Sequence, residues 1–326
     1  VTVPYEVSEG GQEPKALVSL GWLLPEGSDP ELALGLSILE HILAGTPASP
    51  LRKALIDSGL GEDLTGSGLE QGMRQMSYSV GLKGVRQENT AAVETLIADT
   101  LARLAREGID PATVAASLNT VEFQLREMNT GSYPRGLIVM LGALNTWLSD
   151  GDPYAALRID APLAAIKARV QAGEAYFENL LGRYWVENKH RATVVLEPDA
   201  GLAERRAAAE KERLAQARAA MSPTDIERVV ADTLELRRRQ EEPDSPQALA
   251  TIPTLGLADL DRAVRKIPAR PGAAPELYVH DLFTNGILYL DLGFNLHALS
   301  ADLLPYVPLF GRALTETGTT AQDFVQ

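Results

Sequence analysis

The stretch Leu32–Gly81 constrains this chain more than any other, because it sets two helices, two glycine stops and a glycine-rich extended segment within fifty residues. Ser28-Asp29-Pro30 supplies an N-cap and a first-turn proline. The helix that follows carries Leu34, Ile38 and Ile42 at helical spacing, and Gly45 ends it. Ser49-Pro50 opens a second helix that Gly59 closes. Asp63–Leu69 then reads as extended, and the apolar/polar alternation of Met76-Ser77-Tyr78-Ser79-Val80 predicts a strand with one solvated face. Glycines at 66 and 68 leave room for another backbone, which suits the segment to receive a peptide.

Around this stretch the chain alternates strands and helices. Lys15–Leu24, closed by Pro25, is predicted as a buried strand, and the strand around Met76 runs on to Val85. Asn89-Thr90 and Asp110-Pro111 open two helices, ended near Gly108 and Asn129. Tyr133–Leu148 is apolar on nearly every side and so predicts a helix buried between others. A further helix spans Pro162 to about Tyr184, and His190–Pro198 reads as a β-branched strand. The expected class is α+β: a mixed sheet of about four strands covered by helices. Met140, Trp147 and Trp185 fall to core packing in this reading.

Gly201–Glu242 is dominated by alanine, arginine and glutamate, and Ser222-Pro223-Thr224-Asp225 splits it into a charged helical hairpin. Arg237-Arg238-Arg239 reads as a solvated helix end. Beyond a proline-rich loop, Asn285-Gly286 lies between two apolar runs within Leu277–Leu299, the signature of a β-hairpin, and Asp302–Gly318 reads as helix. This last part predicts the beginning of a second, incomplete α+β domain.

With 44 acidic against 30 basic residues, the net charge of -14 argues against nucleic acid and anionic membranes as partners, and fits a cationic peptide. The chain has no cysteine, hence no disulfide, no thiol nucleophile and no cysteine-based metal site, which is compatible with an intracellular, reducing compartment. No apolar run reaches the roughly 20 residues needed to cross a bilayer. The first residues carry no signal pattern and no initiator methionine, which suggests a piece of a longer chain.

The histidines are His41, His190, His280 and His297, none at the i, i+4 spacing that sets two imidazoles on one helix face. Glu40 beside His41 matches part of a zinc motif whose second histidine is missing. His41 lies on or beside an apolar stripe, as a core or a peptide-facing residue. His280-Asp281 would point to opposite faces of a strand and form no dyad. Gly66-Ser67-Gly68 lacks the lysine and spacing of a phosphate loop, and on its residues alone reads as a bulged or twisted strand.

The pattern His41-Ile42-Leu43, Gly45-Thr46, Ser49-Pro50-Leu51, Leu55-Ile56-Asp57 and Gly59-Leu60-Gly61 resembles the second domain of the presequence-protease branch of the pitrilysin and insulin-degrading-enzyme class of zinc metallopeptidases. The resemblance extends through the hairpin to Pro243-Asp244-Ser245-Pro246. It implies residues 1–199 as the second, non-zinc domain, 200–250 as the linker hairpin and 251–326 as the start of a third domain. That class cuts peptides with zinc held by an H-x-x-E-H motif of a first domain, absent from this sequence. Zinc is therefore expected in the full-length enzyme and not in this piece, which should hydrolyse nothing alone. The implied partners are peptide substrates, the catalytic N-terminal domain and the C-terminal half of the same chain, in the cytoplasm or an organelle matrix. In the class, the matching glycine-bearing segment anchors the substrate's N-terminal part as an added edge strand. Carried over, this gives Leu64, Thr65, Gly66, Ser67 and Gly68 as candidate substrate-binding residues, with His41 nearby. The alternatives are a non-catalytic scaffold subunit of the same family, or an unrelated helical interaction module.

Overall fold

The computed structural model describes residues 1–7, 15–264, 266–274 and 276–321. They group into two units, Val1–Ala200 with Thr284–Gln326, and Gly201–Phe283.

The first unit is built on a mixed five-stranded sheet: β1 (Thr2–Glu6), β2 (Ala16–Glu26), β3 (Asp63–Glu70), β4 (Gln75–Val85) and β5 (Arg191–Asp199), in the order β1-β5-β2-β4-β3. β1 runs parallel to β5, and the other pairs are antiparallel. The strand missing from the sequence expectation is β1, a five-residue edge strand that is almost wholly exposed, so no apolar run announces it. In β2, Val18, Leu20, Trp22 and Leu24 are buried while Leu17, Ser19, Gly21 and Leu23 lie on the other, more open face. A sheet covered on one side only imposes that alternation.

The helices α1 (Pro30–Ala44), α2 (Pro50–Asp57), α3 (Thr90–Glu107), α4 (Pro111–Glu127), α5 (Arg135–Trp147), α6 (Asp160–Gln171) and α7 (Tyr176–Leu181) belong to the same unit. The Asp29 carboxylate caps α1 by accepting from the Glu31 and Leu32 amides at 3.0 and 3.3 Å. Leu36, Ile38, Leu39, Ile42 and Leu43 of α1 are all fully buried, each contributing about 1.5–3 kcal/mol of transfer free energy. Gly35 lies among them because a Cβ there would collide with the Tyr176 hydroxyl.

Two sequence expectations for this unit need correction. The helix expected from Pro162 to Tyr184 is broken: Gly173, at φ +79°, adopts a backbone conformation that costs glycine little and others more. A wide turn over Gly182–Val186 then carries Trp185 into the core. The apolar helix expected to be buried forms as α5 but buries none of its residues; Met140 is 52% and Trp147 67% exposed. Composition made it helical, but burial needs a layer above it, and the described residues place none there.

In the second unit, α8 (Leu202–Ala219) and α9 (Pro223–Glu241) follow the predicted split, with the Ser222–Asp225 capping box formed in full. Ion pairs along α9, such as Arg239–Glu235 at 2.8 Å, support it locally. Its Val230 and Leu234 stay exposed. Farther on, Arg270–Pro271 pairs with Tyr278–Val279. The turn at Asn285-Gly286 does form, with φ +52° and +83° and the Ile287 amide donating to the Thr284 carbonyl at 3.1 Å, but no strands flank it. A turn is local; a ladder also needs a buried face, and Leu288 is 89% exposed. That turn belongs to the first unit, as does the last described helix, Val307–Glu316. The five-stranded sheet excludes the purely helical module.

Ile42→Ala should cost about 2–5 kcal/mol in urea unfolding, whereas Leu141→Ala on exposed α5 should stay within about 0.5 kcal/mol. Equal costs at the two sites would contradict this division between core and surface.

Candidate functional site: the β3 edge and the open sheet face

Among the described residues β3 hydrogen-bonds to β4 on one side only, so its other side is an edge of the sheet. The register runs from Asp63 opposite Lys83 to Thr65 opposite Gly81, slips, and resumes at Gly68 opposite Ser79. One extra residue on β3 makes this a β-bulge. Gly66 and Gly68 have φ of +109° and +65°, and a Cβ on Gly66 would strike the Ser79 carbonyl. Both glycines are thus dictated by the backbone. Inside the bulge the Ser67 amide donates to Ser79 Oγ at 2.8 Å.

The side chains of the edge are partly committed. The Leu64 amide donates to Asp63 Oδ1 at 2.8 Å, and Lys83, 3.0 Å from Asp63 Oδ2, holds that carboxyl below the usual carboxylate range. Leu64 and Leu69 lean against the core. Phase is restored across the bulge, which lets both leucines serve the same face.

Along the face of the sheet away from the core runs an open groove of about 980 Å³. Ser19, Gly21, Thr65, Gly66, Ser77 and Ser79 pave it, with Lys189, His190 and Arg191 at its lining too. Leu17, Leu23, Val194 and Leu196 add apolar surface to it. The alternation in β4 is visible in the sequence, but the joining of outer positions of four strands into one groove follows from sheet order alone.

His41 closes the last turn of α1. Its carbonyl accepts from the Gly45 amide at 2.9 Å and from Ser49 Oγ at 3.1 Å. Its ring lies so close to Gly45 that a Cβ there would be 2.6 Å from it, which explains the glycine four residues on. Nδ1 is buried without a hydrogen-bond partner, and desolvation lowers the imidazole's pKa, favouring the neutral ring. Ser49 therefore ties the α1–α2 turn together and does not cap its own helix.

The α1 side chain that reaches β3 is Glu40, which sequence reasoning set aside. Its Oε1 lies 3.1 Å from where a Cβ on Gly68 would stand. Burial raises its pKa. Nearby, the Tyr78 hydroxyl is buried and unpartnered, and its pKa is pushed far up by burial and then by the Glu40 charge. Tyr78 packs edge-on to Trp185 at 5.3 Å and against Trp22 at 6.0 Å. Helical spacing alone could not show that Glu40 faces a glycine of another strand.

Among the described residues no three His, Asp or Glu side chains come together in a group able to hold a metal ion. Nor is any helix of the described residues long and apolar enough to cross a membrane.

Two family models match the chain. One is that of the inactive domain of M16 peptidases, over residues 2–121, and the other is that of the region associated with subfamily C of the same peptidases, over residues 196–326. The Arabidopsis thaliana protein named presequence protease 1, chloroplastic/mitochondrial, is 43% identical over 98% of this chain and 30% of its own length. Protein HypA of Clostridium perfringens is 34% identical over 95% of the chain and 32% of its own length. The chain thus spans about a third of the length of these curated relatives. Among solved structures, the inactive peptidase domain of a putative zinc protease from Bordetella parapertussis matches at 16% identity and a TM-score of 0.45, over 58% of this chain and 94% of that one.

A glutamate whose pKa lies above its unfolded value, 4.5, contributes stability that is fully present below that pH and lost as the pH rises through the folded-state value. At pH 7 Glu40 therefore carries a cost. Glu40→Gln should raise the urea midpoint at pH 7, and the gain should fade toward pH 4; an equal gain at both pH values would contradict the desolvated carboxylate.

Proposed function

Because this chain belongs to the M16 peptidase family, we propose that it is a non-catalytic middle portion of a longer zinc metallopeptidase that cuts peptides. Its role there is to present a wall to the substrate chamber, an edge that anchors the peptide, and a linker between the halves of the enzyme. Residues 1–199 act as the second domain, 200–250 as the linker and 251–326 as the start of a third. Zinc is held by a catalytic domain elsewhere in that longer protein, whose remaining parts, together with peptide substrates, are this chain's partners. Its setting is the interior of a compartment, the cytoplasm or an organelle matrix.

The observation that carries the reading is the side of β3 that pairs with no strand among the described residues. An extended peptide needs only backbone donors and acceptors at a sheet edge to join it, so a strand can be anchored with little regard to its side chains. Leu64, Thr65, Gly66, Ser67 and Gly68 form the anchoring edge in this proposal. The bulge divides it into two short pairing stretches, one on each side of Gly66. His41 holds the α1–α2 turn beside it. The groove suits a wall along which different peptides slide, because it is open and mixes hydroxyls of Ser19, Thr65, Ser77 and Ser79 with apolar surface from Leu17, Leu23, Val194 and Leu196. The exposed apolar face of α5 supports the presence of a neighbouring domain, since patches of this kind mark interaction surfaces.

Hydrogen exchange tests the anchoring edge. Adding an extended peptide should slow amide exchange within residues 63–70 and leave the exposed helices α8 and α9 unchanged. Protection confined to other segments, or none, would contradict strand addition at β3.

A further inference from the structure

Glu40 is half-buried, unlike Glu70 at the end of β3, which also has no partner among the described residues but is exposed. Glu31 pairs with Arg169, Asp57 with Lys53, Glu62 with Lys15 and Asp63 with Lys83. Among the described residues no ion pair and no hydrogen bond reaches the Glu40 carboxylate. Yet it is half-buried, and its position is defined: Oε1 stands 3.1 Å from the missing Cβ of Gly68, on the edge strand. Beside it is a second unsatisfied group, the Tyr78 hydroxyl, on a residue only 1% exposed. Leaving a carboxylate and a phenol without partners in one partly dry place costs free energy that a ligand can recover.

We propose that Glu40 is a subsite for a cationic group, an α-ammonium, lysine or arginine, carried by a peptide that lies along β3. A strand added to β3 would run about 4.8 Å from it. Gly68 has no side chain to screen the carboxylate from such a strand. A peptide's cation near Gly68 would pair with Glu40 and hold it ionised, in a chain whose net charge of -14 already favours cations. A metal ion is not the match, since one carboxylate without further ligands at hand gives no coordination set. The inference rests on the strand-addition reading above.

The test uses the 326-residue chain and a C-terminally fluorescein-labelled extended peptide with a free α-amine and one lysine near it, with binding read by anisotropy and amide protection over residues 63–70 in parallel. Two further peptides each remove one charge, by N-acetylation or by lysine→glutamine. The wild-type chain should bind one of them about tenfold more weakly than the parent, and which one identifies the cation. Glu40→Gln should bind the parent about tenfold more weakly and no longer distinguish the three. Peptide that protects residues 63–70 but shows the same charge preference on both proteins would overturn the Glu40 subsite and leave strand addition standing. Absence of binding, or of protection there, would overturn both. The charge preference on the unaltered chain is independent of how the variant folds.

Discussion

The pairing of β2 with β4 carries the first unit. Its core side sets Leu20, Trp22 and Leu24 beside Met76, Tyr78 and Val80, in one buried cluster with side chains of α1 and α3 and with Trp185. The Trp22 indole N–H donates to the Trp185 carbonyl at 3.1 Å, so the wide turn after α7 is fixed to the middle of the sheet. At Gly81 the β2 backbone comes so close that a side chain would overlap the Val18 carbonyl. The two strands thus have a dry face built of large residues and an open face where serine and glycine alternate with the partly exposed Leu17 and Leu23.

From this asymmetry the functional surfaces follow. Among the described residues β3 pairs with β4 alone, as the last strand of the order, and no further strand covers its outer side. Exposed edges invite unwanted pairing, and proteins blunt them with bulges, charges or short strands. β3 shows the bulge at Gly66-Ser67 and a charged end at Asp63, so only short stretches of it can accept a partner. An edge of that kind tolerates a transient peptide better than a long, flat aggregate. Glu40, placed under the gap that Gly68 leaves, adds a charge criterion to an otherwise backbone-based contact.

The elements are readable from the sequence where local chemistry decides them. Asp29-Pro30 and Asp110-Pro111 start helices as capping rules require, Ser222–Asp225 closes its box, and the glycines at 66 and 68 mark the bulge. Reading failed where tertiary context decides. α5 looked like core because its residues are apolar, yet exposure depends on what lies over it. β1 escaped notice because an exposed parallel edge strand of five residues has no pattern of its own. Asn285-Gly286 made its turn without its strands. Glu40 and the groove needed the strand order, which brings residues far apart in sequence to one edge and one face.

The central claim is that the free side of β3 is where a peptide is held. A crystal structure of the chain with an extended peptide tests it most directly. The account expects a sixth strand hydrogen-bonded to Asp63–Glu70 with a cationic group at Glu40. A peptide seated elsewhere, with the outer side of β3 left bare, would contradict it.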